Sequence, residues 1–396
     1  MLTERLFEED SHIKEFSAFV REVRDSAKGG YDILLDKTAF FPGGGGQDPD
    51  EGTLDDIFID RAFMEGEEIW HHSFAKLKPG QTVSGRIDWD KRFSRMQNHS
   101  GEHILSGLIH NRYGYENVGF HMGEAFMEID FSGVIPDDDI RVLEDAANDA
   151  VCSNVPVSAS FPGDEELAVL DYRSKKDLEG QKIRIVRVTG IDACACCAPH
   201  VAFTGEIGVI RIIGTFPKGS GTRLHVICGL KAFNYLRDRN NELSAIARSF
   251  STAQEEAYNS VIRLKDENEE LKRGVSRLSA LLAEKLTAEM TDITEENAVL
   301  FVPKAMGMPQ AREIAVFGAA RYSGVCAVFC GSDREGWRYV IASGHIDLKA
   351  AADDINSAIN GHGGGKSDVI QGTCSLSETK LRRYFSSAEL DAYLMG

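Results

Sequence analysis

Two pairs of metal-ligating side chains, far apart in the sequence, constrain the fold more than any other feature. His99 and His103 lie four residues apart where apolar residues recur at helical spacing, which places both imidazoles on one face of a predicted helix. Cys196 and His200 repeat the four-residue spacing much later in the chain. Nitrogen and thiolate ligands favour zinc over magnesium or calcium. The pairs therefore predict one zinc ion per chain, held by side chains that the fold must bring together.

Two neighbouring thiols leave the identity of the cysteine ligand open. Cys194 and Cys197 flank Cys196 within the same short stretch. Cys196 alone has the four-residue spacing to His200, so we expect it to be the ligand.

The stretch from His99 to His103 also matches the H-x-x-E-H pattern of inverzincin peptidases, in which the glutamate is the general base. Glu102 would then be that base. Such a peptidase uses a further carboxylate as a ligand, whereas the candidates here are Cys196 and His200. A thiolate donates charge to zinc and weakens it as a Lewis acid, which argues against a peptidase. Whether Glu102 faces the metal stays open.

Composition restricts the class of protein. The chain has 396 residues, enough for two or three domains, with 44 basic and 62 acidic residues and a net charge of −18. This balance argues against a broad nucleic-acid-binding surface but permits a local basic groove. No apolar run approaches the ~18 residues that a membrane span needs. Eight cysteines are too few for a disulfide scaffold, and the acidic N-terminus lacks a signal peptide, so we expect a cytoplasmic protein.

Four segments follow from the pattern of apolar residues, and together they predict an α+β protein. Residues 1–90 contain short alternating stretches typical of a β-rich, barrel-like domain. Residues 91–235 combine strands and helices around the predicted zinc site. Residues 236–290 are helical, and residues 291–396 form a separate α/β domain.

A run of glycines lies in the first segment, between Thr38 and Gln47. Residues 43–46 are all glycine, which neither a strand nor a helix interior favours. The run is either a tight turn or a loop whose bare N–H groups approach a substrate. No Gly-Lys-Ser/Thr follows it, so it is not a phosphate-binding loop of the Walker type.

The third segment carries a heptad repeat without proline. Two sets of residues recur every seven positions: Leu243, Phe250, Ala257, Leu264, Leu271 and Leu278, and Ala247, Gln254, Val261, Asn268, Val275 and Leu282. Such a repeat predicts a long coiled-coil helix, whose partner is either another subunit or another part of the fold. We expect a homodimer, with Asn268 restricting the register.

The last segment contains a second glycine-rich stretch, residues 360–368. Its Gly365-Lys366-Ser367 end fails as a Walker motif because the required first glycine is Asn360 and the stretch follows a predicted helix. Gly363, Gly364, Gly365 and Lys366 either form a loop that meets a phosphate backbone or simply end the helix.

These motifs, taken in order, resemble the editing domain of alanyl-tRNA synthetase and its freestanding trans-editing relatives, the AlaX proteins. The motifs are Thr38-x-Phe40-Phe41-Pro42-x-Gly44-Gly45-Gly46-Gln47, His99-x-x-x-His103, residues 118–123 around His121, and Cys196-x-x-x-His200. The Gly361–Asp368 stretch resembles the C-terminal, DHH-associated domain that the synthetase shares with the long AlaX form. The chain begins at the editing region, so we expect a protein that edits without aminoacylating.

The resemblance implies a trans-editing hydrolase that deacylates Ser-tRNA(Ala) and Gly-tRNA(Ala) without ATP. His99, His103, Cys196 and His200 match the zinc ligands of the family. Thr38 matches the position linked to recognition of the serine hydroxyl, and Gly44 to Gln47 match the motif that shapes the pocket. His121 matches a pocket-lining motif and is expected to contact the terminal adenosine. The C-terminal domain would hold the tRNA body, with Gly363 to Lys366 as its contact.

Two mechanisms and two other functions stay open. Zinc either polarises the ester carbonyl and its attacking water, or positions the aminoacyl group while a ribose hydroxyl assists the water. Glu102 is a candidate base in the first case. The alternative functions are a non-enzymatic tRNA-binding protein with a structural zinc and, less favoured, the H-x-x-E-H peptidase.

Overall fold

The computed structural model describes residues 2–175, 182–290, 297–387 and Tyr393. The chain divides into two compact units, Met1–Ser244 and Ala245–Gly396. Within the described residues, no helix combines the length and the apolar character needed to cross a membrane. The α+β class expected from the sequence is confirmed.

The first unit holds sixteen of the described strands and the first helices. Its strands are β1 (Glu4–Arg5), β2 (Glu15–Asp25), β3 (Tyr31–Leu35), β4 (Lys37–Thr38), β5 (Gly52–Leu54), β6 (Ile57–Ile59), β7 (Arg61–Glu65), β8 (Glu68–Ser73), β9 (Thr82–Ile87), β10 (Asn117–Met122), β11 (Met127–Phe131), β12 (Val157–Ser160), β13 (Ile185–Val188), β14 (Asp192–Ala195), β15 (Ile210–Lys218) and β16 (Gly221–Cys228). Its helices are α1 (Leu6–Glu9), α2 (Trp89–Tyr113), α3 (Asp137–Cys152) and α4 (Asp164–Val169), while α5 (Gly229–Ser249) runs into the second unit.

A seven-stranded antiparallel sheet, in the order β6-β5-β9-β2-β3-β8-β7, forms the N-terminal part and is nearly closed into a barrel. Side chains alternate between the interior and the surface, as the sequence predicts for such strands. Val20, Ile33, Leu35 and Ile69 lie in its fully buried interior.

The helix α2 carries two of the four predicted metal ligands, His99 and His103. It begins where the Asp88 side chain accepts a hydrogen bond from the Lys91 amide (3.2 Å) and ends at Gly114, whose φ of 69° is left-handed. Its apolar residues, such as Ile104 and Leu105, pack on a four-stranded sheet in the order β10-β11-β16-β15. A three-stranded sheet, β12-β13-β14, leads the chain to Cys196.

The second unit is a mixed five-stranded sheet with helices on its faces. Its elements are α6 (Ala257–Glu289), β17 (Ala298–Val302), α7 (Gly307–Ala319), β18 (Cys326–Ser332), β19 (Gly336–Ala342), α8 (Leu348–Ile359), β20 (Gly361–Gly365), β21 (Val369–Cys374) and α9 (Glu378–Ser387). The strand order is β17-β18-β19-β21-β20. Its β17 and β18 are parallel and the other neighbours are antiparallel.

The heptad segment forms two helices, where the sequence predicted one. α5 ends at Ser249 and α6 begins at Ala257. Ser251 adopts a left-handed φ of 53°, and the Thr252 amide bonds to the Ala247 carbonyl (3.0 Å), which ends the first helix as a C-cap does. Only the part of the repeat within α6 can therefore form one continuous seam.

The second glycine-rich stretch forms an edge strand, where the sequence predicted either a loop or the end of a helix. Gly361–Gly365 pairs with β21 along its length. A side chain at Gly363 would meet the Tyr339 hydroxyl at 2.4 Å, so glycine lets this strand lie against its neighbours.

Candidate metal centre

Four side chains from two distant parts of the chain converge on one point. The ligand atoms of His99, His103, Cys196 and His200 all lie within 4.8 Å of one another. Cys196 Sγ is 3.6 Å from His99 Nε2 and 3.3 Å from His200 Nε2. Tetrahedral zinc with bonds of about 2.3 Å to sulfur and 2.0–2.1 Å to nitrogen separates such atoms by about 3.5 Å. The residues therefore fit a zinc ion.

Each histidine is oriented by a hydrogen bond on its far side. The Nδ1 atoms of His99, His103 and His200 contact Gln47 Oε1 (2.9 Å), Asp192 Oδ2 (2.8 Å) and Ser100 Oγ (3.1 Å). Outer partners of this kind hold metal-binding imidazoles in place and fix their tautomers. All three rings thus direct Nε2 to the centre.

Asp192 is itself held in place. Arg173 donates two hydrogen bonds to its carboxylate, from Nε to Oδ1 (2.7 Å) and from Nη2 to Oδ2 (2.8 Å). Although burial acts to raise the pKa of Asp192, its bonds with Arg173 and His103 lower that pKa to about 2. The sequence did not indicate either residue, because no spacing links them to the ligands.

The electrostatics suit a thiolate at Cys196 and a neutral imidazole at His200. Burial acts to raise the pKa of Cys196, but the surrounding histidines lower it well below the ordinary value of 9.0. Burial lowers the pKa of His200 to about 3. Zinc requires thiolate and unprotonated imidazole ligands, so these shifts leave Cys196 and His200 in suitable states.

The three clustered cysteines occupy different surroundings. Cys196 lies with the histidines, whereas Cys197 is exposed. Cys194 is buried and lies with His103 and Asp192 in a second group whose candidate ligand atoms are within 4.8 Å. Burial raises the pKa of the Cys194 thiol, which disfavours its thiolate. The structure thus brings Cys196 to the centre, as the spacing predicted.

The glycine run brings Gln47 to the metal centre. Residues 43–46 all have positive φ, and Gly44 and Gln47 exchange backbone hydrogen bonds (3.0 and 3.1 Å), so the run is a tight turn. A side chain at Gly46 would meet the Phe120 ring at 2.5 Å. Gln47 is buried, and among the described residues its Nε2 has no hydrogen-bond partner. This free donor is available to a ligand beside His99.

A buried ion pair fixes the glycine-run loop to α2. The Arg92 side chain is fully buried, and its Nε donates to Asp50 Oδ2 (2.8 Å). Arg92 also bonds to the carbonyls of Ala39 and Ser11. The Phe41 amide donates to the same Asp50 oxygen (2.7 Å). The loop and the helix are therefore held in one arrangement.

Thr38 lies in the interior with its hydroxyl engaged. Its Oγ1 is 2.8 Å from His71 Nε2 and accepts a hydrogen bond from the Phe40 amide (3.1 Å). Burial lowers the pKa of His71 to about 4, so the ring is neutral. Its Nδ1 donates to the Ile33 carbonyl (3.2 Å), which leaves Nε2 to accept the Thr38 proton. No local pattern in the sequence indicates a role for His71.

Glu102 is buried, and one of its two carboxylate oxygens already accepts hydrogen bonds. Oε1 accepts hydrogen bonds from Asn117 Nδ2 (2.7 Å) and Ser106 Oγ. Oε2 is 3.8 Å from His103 Nε2, which places it beside the ligand group. His121 is exposed on β10 and is not in the ligand cluster.

The remaining predicted residues lie in the second unit. Gly363, Gly364, Gly365 and Lys366 are exposed, and the Lys366 amide bonds to the Val369 carbonyl (2.9 Å). Register places Arg338, Thr373 and His362 side by side on three neighbouring strands. All three are exposed and line a cavity of about 470 Å³.

Comparisons with known proteins identify relatives that act on alanyl-tRNA or resemble tRNA synthetases. Residues 183–225, which include Cys196 and His200, match the threonyl and alanyl tRNA synthetase second additional domain. The chain is 25% identical over 370 residues to the alanyl-tRNA editing protein Aarsd1 of Danio rerio, covering 92% of this chain and 88% of that protein. It is 30% identical over 251 residues to the alanyl-tRNA editing protein AlaX-L of Pyrococcus horikoshii, covering 60% and 61%.

A longer protein also matches. The alanine–tRNA ligase of Methanospirillum hungatei is 28% identical over 389 residues, which are 93% of this chain and 41% of the ligase. The fold, the group of four ligand side chains and these sequence matches together indicate a protein related to tRNA synthetases. These similarities support an alanyl-tRNA editing protein of the AlaX type.

Proposed function

We propose that this chain is a trans-editing hydrolase that deacylates Ser-tRNA(Ala) and Gly-tRNA(Ala) at a zinc-containing site. The observation that carries the proposal is the buried donor of Gln47 beside the converging ligand group. A synthetic site for alanine cannot strongly reject glycine or an analogue with one more hydroxyl, so a second, hydrolytic site is needed. The relatives named alanyl-tRNA editing proteins support this assignment.

The zinc site would use His99, His103, Cys196 and His200. When bound, zinc supplies Lewis-acid polarisation of the ester carbonyl or a water of lowered pKa. Gln47 would donate from Nε2 to the ester carbonyl oxygen while its Oε1 keeps His99 in orientation. Loss of one such donor typically slows acyl transfer about 100-fold to 1000-fold.

Glu102 would activate the attacking water, and Thr38 would bind the side chain of the amino acid. Glu102 Oε2 would accept the proton of the attacking water, since Oε1 is occupied by Asn117 and Ser106. Thr38 donates its proton to His71 and accepts from the Phe40 amide, so one lone pair of Oγ1 is left to accept from a serine hydroxyl. Alanine and glycine cannot make that bond.

The tRNA would contact both units. His121 would contact the terminal adenosine, consistent with its exposure on β10. Gly363, Gly364, Gly365 and Lys366 would meet the phosphate backbone of the tRNA body, and the neighbouring cation Arg338 would extend that contact. We place the protein in the cytoplasm, as a homodimer through the heptad seam of α6.

We also propose a role for each of the four segments of the chain. Residues 1–90 would carry the glycine motif, 91–235 the zinc-binding editing site, the α6 part of 236–290 the coiled coil, and 291–396 the DHH-associated tRNA-binding domain.

One assay tests the function. The full chain, loaded with zinc, is mixed with Ser-tRNA(Ala), Gly-tRNA(Ala) and Ala-tRNA(Ala), and loss of each ester is followed. Both mischarged species should be hydrolysed faster than Ala-tRNA(Ala). Gln47→Ala should lower the rate about 100-fold, whereas the control variant Gln81→Ala, just before β9, should not. Equal hydrolysis of all three esters, or full activity in His103→Ala, would contradict the proposal.

One observation favours a second candidate, a non-enzymatic tRNA-binding protein. The four side chains would form a closed shell around a bound ion, which is typical of structural zinc. That candidate predicts retention of tRNA without turnover and unfolding when zinc is removed. The ligand group of four contains no carboxylate, so the peptidase alternative has no comparable support.

A further inference from the structure

One face of α6 exposes a regular row of apolar side chains. The α6 seam consists of Val261, Leu264, Asn268, Leu271, Val275, Leu278 and Leu282. Leu271 and Leu278 are each 68% exposed, and no member of the seam is buried. Within the described parts of the chain, therefore, nothing covers it. An apolar row of this length on a surface marks a contact with another molecule.

The part of α6 between its two buried ends is long enough to receive a partner helix. Ala257 and Ser260 are buried near its N-terminal end, and Ala283 is buried near its C-terminal end, where Ser279 donates to the Ala305 carbonyl (3.3 Å). No residue of α6 between Ser260 and Ser279 is buried. The seam from Val261 to Leu282 spans about 33 Å. A single exposed helix of this size is only marginally stable in water, and a partner along its apolar face would stabilise it.

The types of residue in the seam favour two parallel strands. Val261, Asn268, Val275 and Leu282 occupy the a positions, and Leu264, Leu271 and Leu278 occupy the d positions. β-Branched residues at a with leucine at d are the combination that favours a parallel pair over trimers and tetramers.

Asn268 distinguishes the two orientations. In a parallel, in-register pair each a residue meets its own counterpart, so the two Asn268 amides can bond to each other. In an antiparallel pair a residues face d residues, and every d position in the seam is leucine. The amide would then be buried without a partner, at a cost of about 1–3 kcal/mol.

The flanking charges agree with the parallel arrangement. Glu267 is at a g position and Lys272 at the e position five residues later, the spacing that joins two parallel helices. Both side chains are exposed, and neither has an ion-pair partner among the described residues. Because the two copies are equivalent, this Glu267–Lys272 ion pair forms twice in the dimer. In an antiparallel pair, Lys265 of one helix would instead lie beside Lys272 of the other, and the two ammonium groups would repel each other.

We propose that the partner of the α6 seam is a second copy of this chain, bound parallel and in register, with Asn268 paired to its counterpart and Glu267 to Lys272 of the other copy. The proposal rests on the homodimer of the proposed function and adds its orientation, register and pairing. In a parallel pair the N-terminal ends of the two α6 helices lie together, and so do their C-terminal ends.

A charge exchange tests orientation and register. Sedimentation velocity of the full chain over a range of micromolar concentrations should detect a dimer. Glu267→Lys creates two Lys–Lys contacts and Lys272→Glu creates two Glu–Glu contacts, so each variant alone should dissociate at least tenfold more readily. Mixing the two variants should restore a dimer that contains one copy of each, because both contacts are then attractive.

A neighbouring residue provides the matched control. Asp266→Lys makes the same charge change at the f position, which faces away from a partner, and should leave the dimer unchanged. Failure of the mixed variants to associate, or equal effects of the Asp266 and Glu267 changes, would overturn the parallel register. A wild-type chain that stays monomeric would overturn the dimer. None of these outcomes depends on deacylation, which is measured separately.

Discussion

α2 and α6 are the two longest helices of the described chain, and they reverse the usual relation between polarity and burial. In α2, His99, Glu102, His103 and Arg92 are buried. In α6 only four residues are buried, and leucines such as Leu271 lie on the surface. The polar residues of α2 are buried because each has a partner within the same unit. The leucines of α6 are exposed because no partner within the described chain covers them.

We therefore expect that replacing a buried polar residue of α2 lowers the free energy of unfolding more than replacing an exposed leucine of α6. Three substitutions and one change of pH test this expectation.

The largest effect is expected from a metal ligand. His103→Ala removes one ligand from the buried centre, so zinc content should fall from about one per chain to near zero, with a loss of about 5 kcal/mol or more in the free energy of unfolding. Metal analysis and chemical denaturation measure both. His110→Ala, on the same helix but only half-buried, is the control and should retain its zinc. Equal zinc content in the two variants would remove His103 from the site.

The next effect concerns the buried ion pair. Asp50→Asn leaves the Arg92 guanidinium, fully buried, without its counter-charge, which should cost about 3–5 kcal/mol. Glu51→Gln alters the neighbouring pair with Lys91, whose ammonium is half-exposed, and should cost at most about 1 kcal/mol. Denaturation midpoints of the two variants decide the matter, and similar values would show that burial of the pair adds nothing.

A pH dependence should follow from His71. Burial lowers its pKa to about 4 in the folded chain, against an ordinary value of 6.5. The unfolded chain therefore binds a proton more readily, so stability is complete above pH 6.5 and falls as the pH drops toward 4, by roughly 3 kcal/mol. His71→Gln should flatten this part of the stability curve, while His121→Gln keeps the wild-type curve. An unchanged slope in His71→Gln would contradict the assignment.

The smallest effect is expected in α6. Leu271→Lys replaces a leucine that is 68% exposed, so the free energy of unfolding measured at concentrations where the chain is monomeric should change by less than about 0.5 kcal/mol. Sedimentation at higher concentration should show loss of the dimer. A large destabilisation of the monomer would mean that the seam packs within the chain, and α6 would then resemble α2.

The sequence was most informative where the spacing is local. Four-residue spacing placed His99 with His103 and Cys196 with His200, and the glycine run identified the turn before Gln47. Asp192, Arg173 and His71 could not be found in this way, because each acts through a contact between residues far apart in the sequence. The same reason hid the pair of Asp50 and Arg92.

Local pattern also failed where a single turn decided the structure. The heptad spacing continues through residues 250–256, yet Ser251 adopts a left-handed conformation and separates α5 from α6. Glycines 363–365 suggested a loop because their β propensity is low, but pairing with β21 and the closeness of Tyr339 override that preference.

The separation of 97 residues between His99 and Cys196 also has a consequence for synthesis. At about 5–20 residues per second, the ribosome delivers the histidines of α2 roughly 5–20 s before the cysteine. During that interval the polar face of α2 has no Cys196, no Asp192 and no His200 to meet. Binding of the proposed zinc ion by all four side chains must therefore wait for His200, so a shortage of zinc should delay completion of this core late in synthesis.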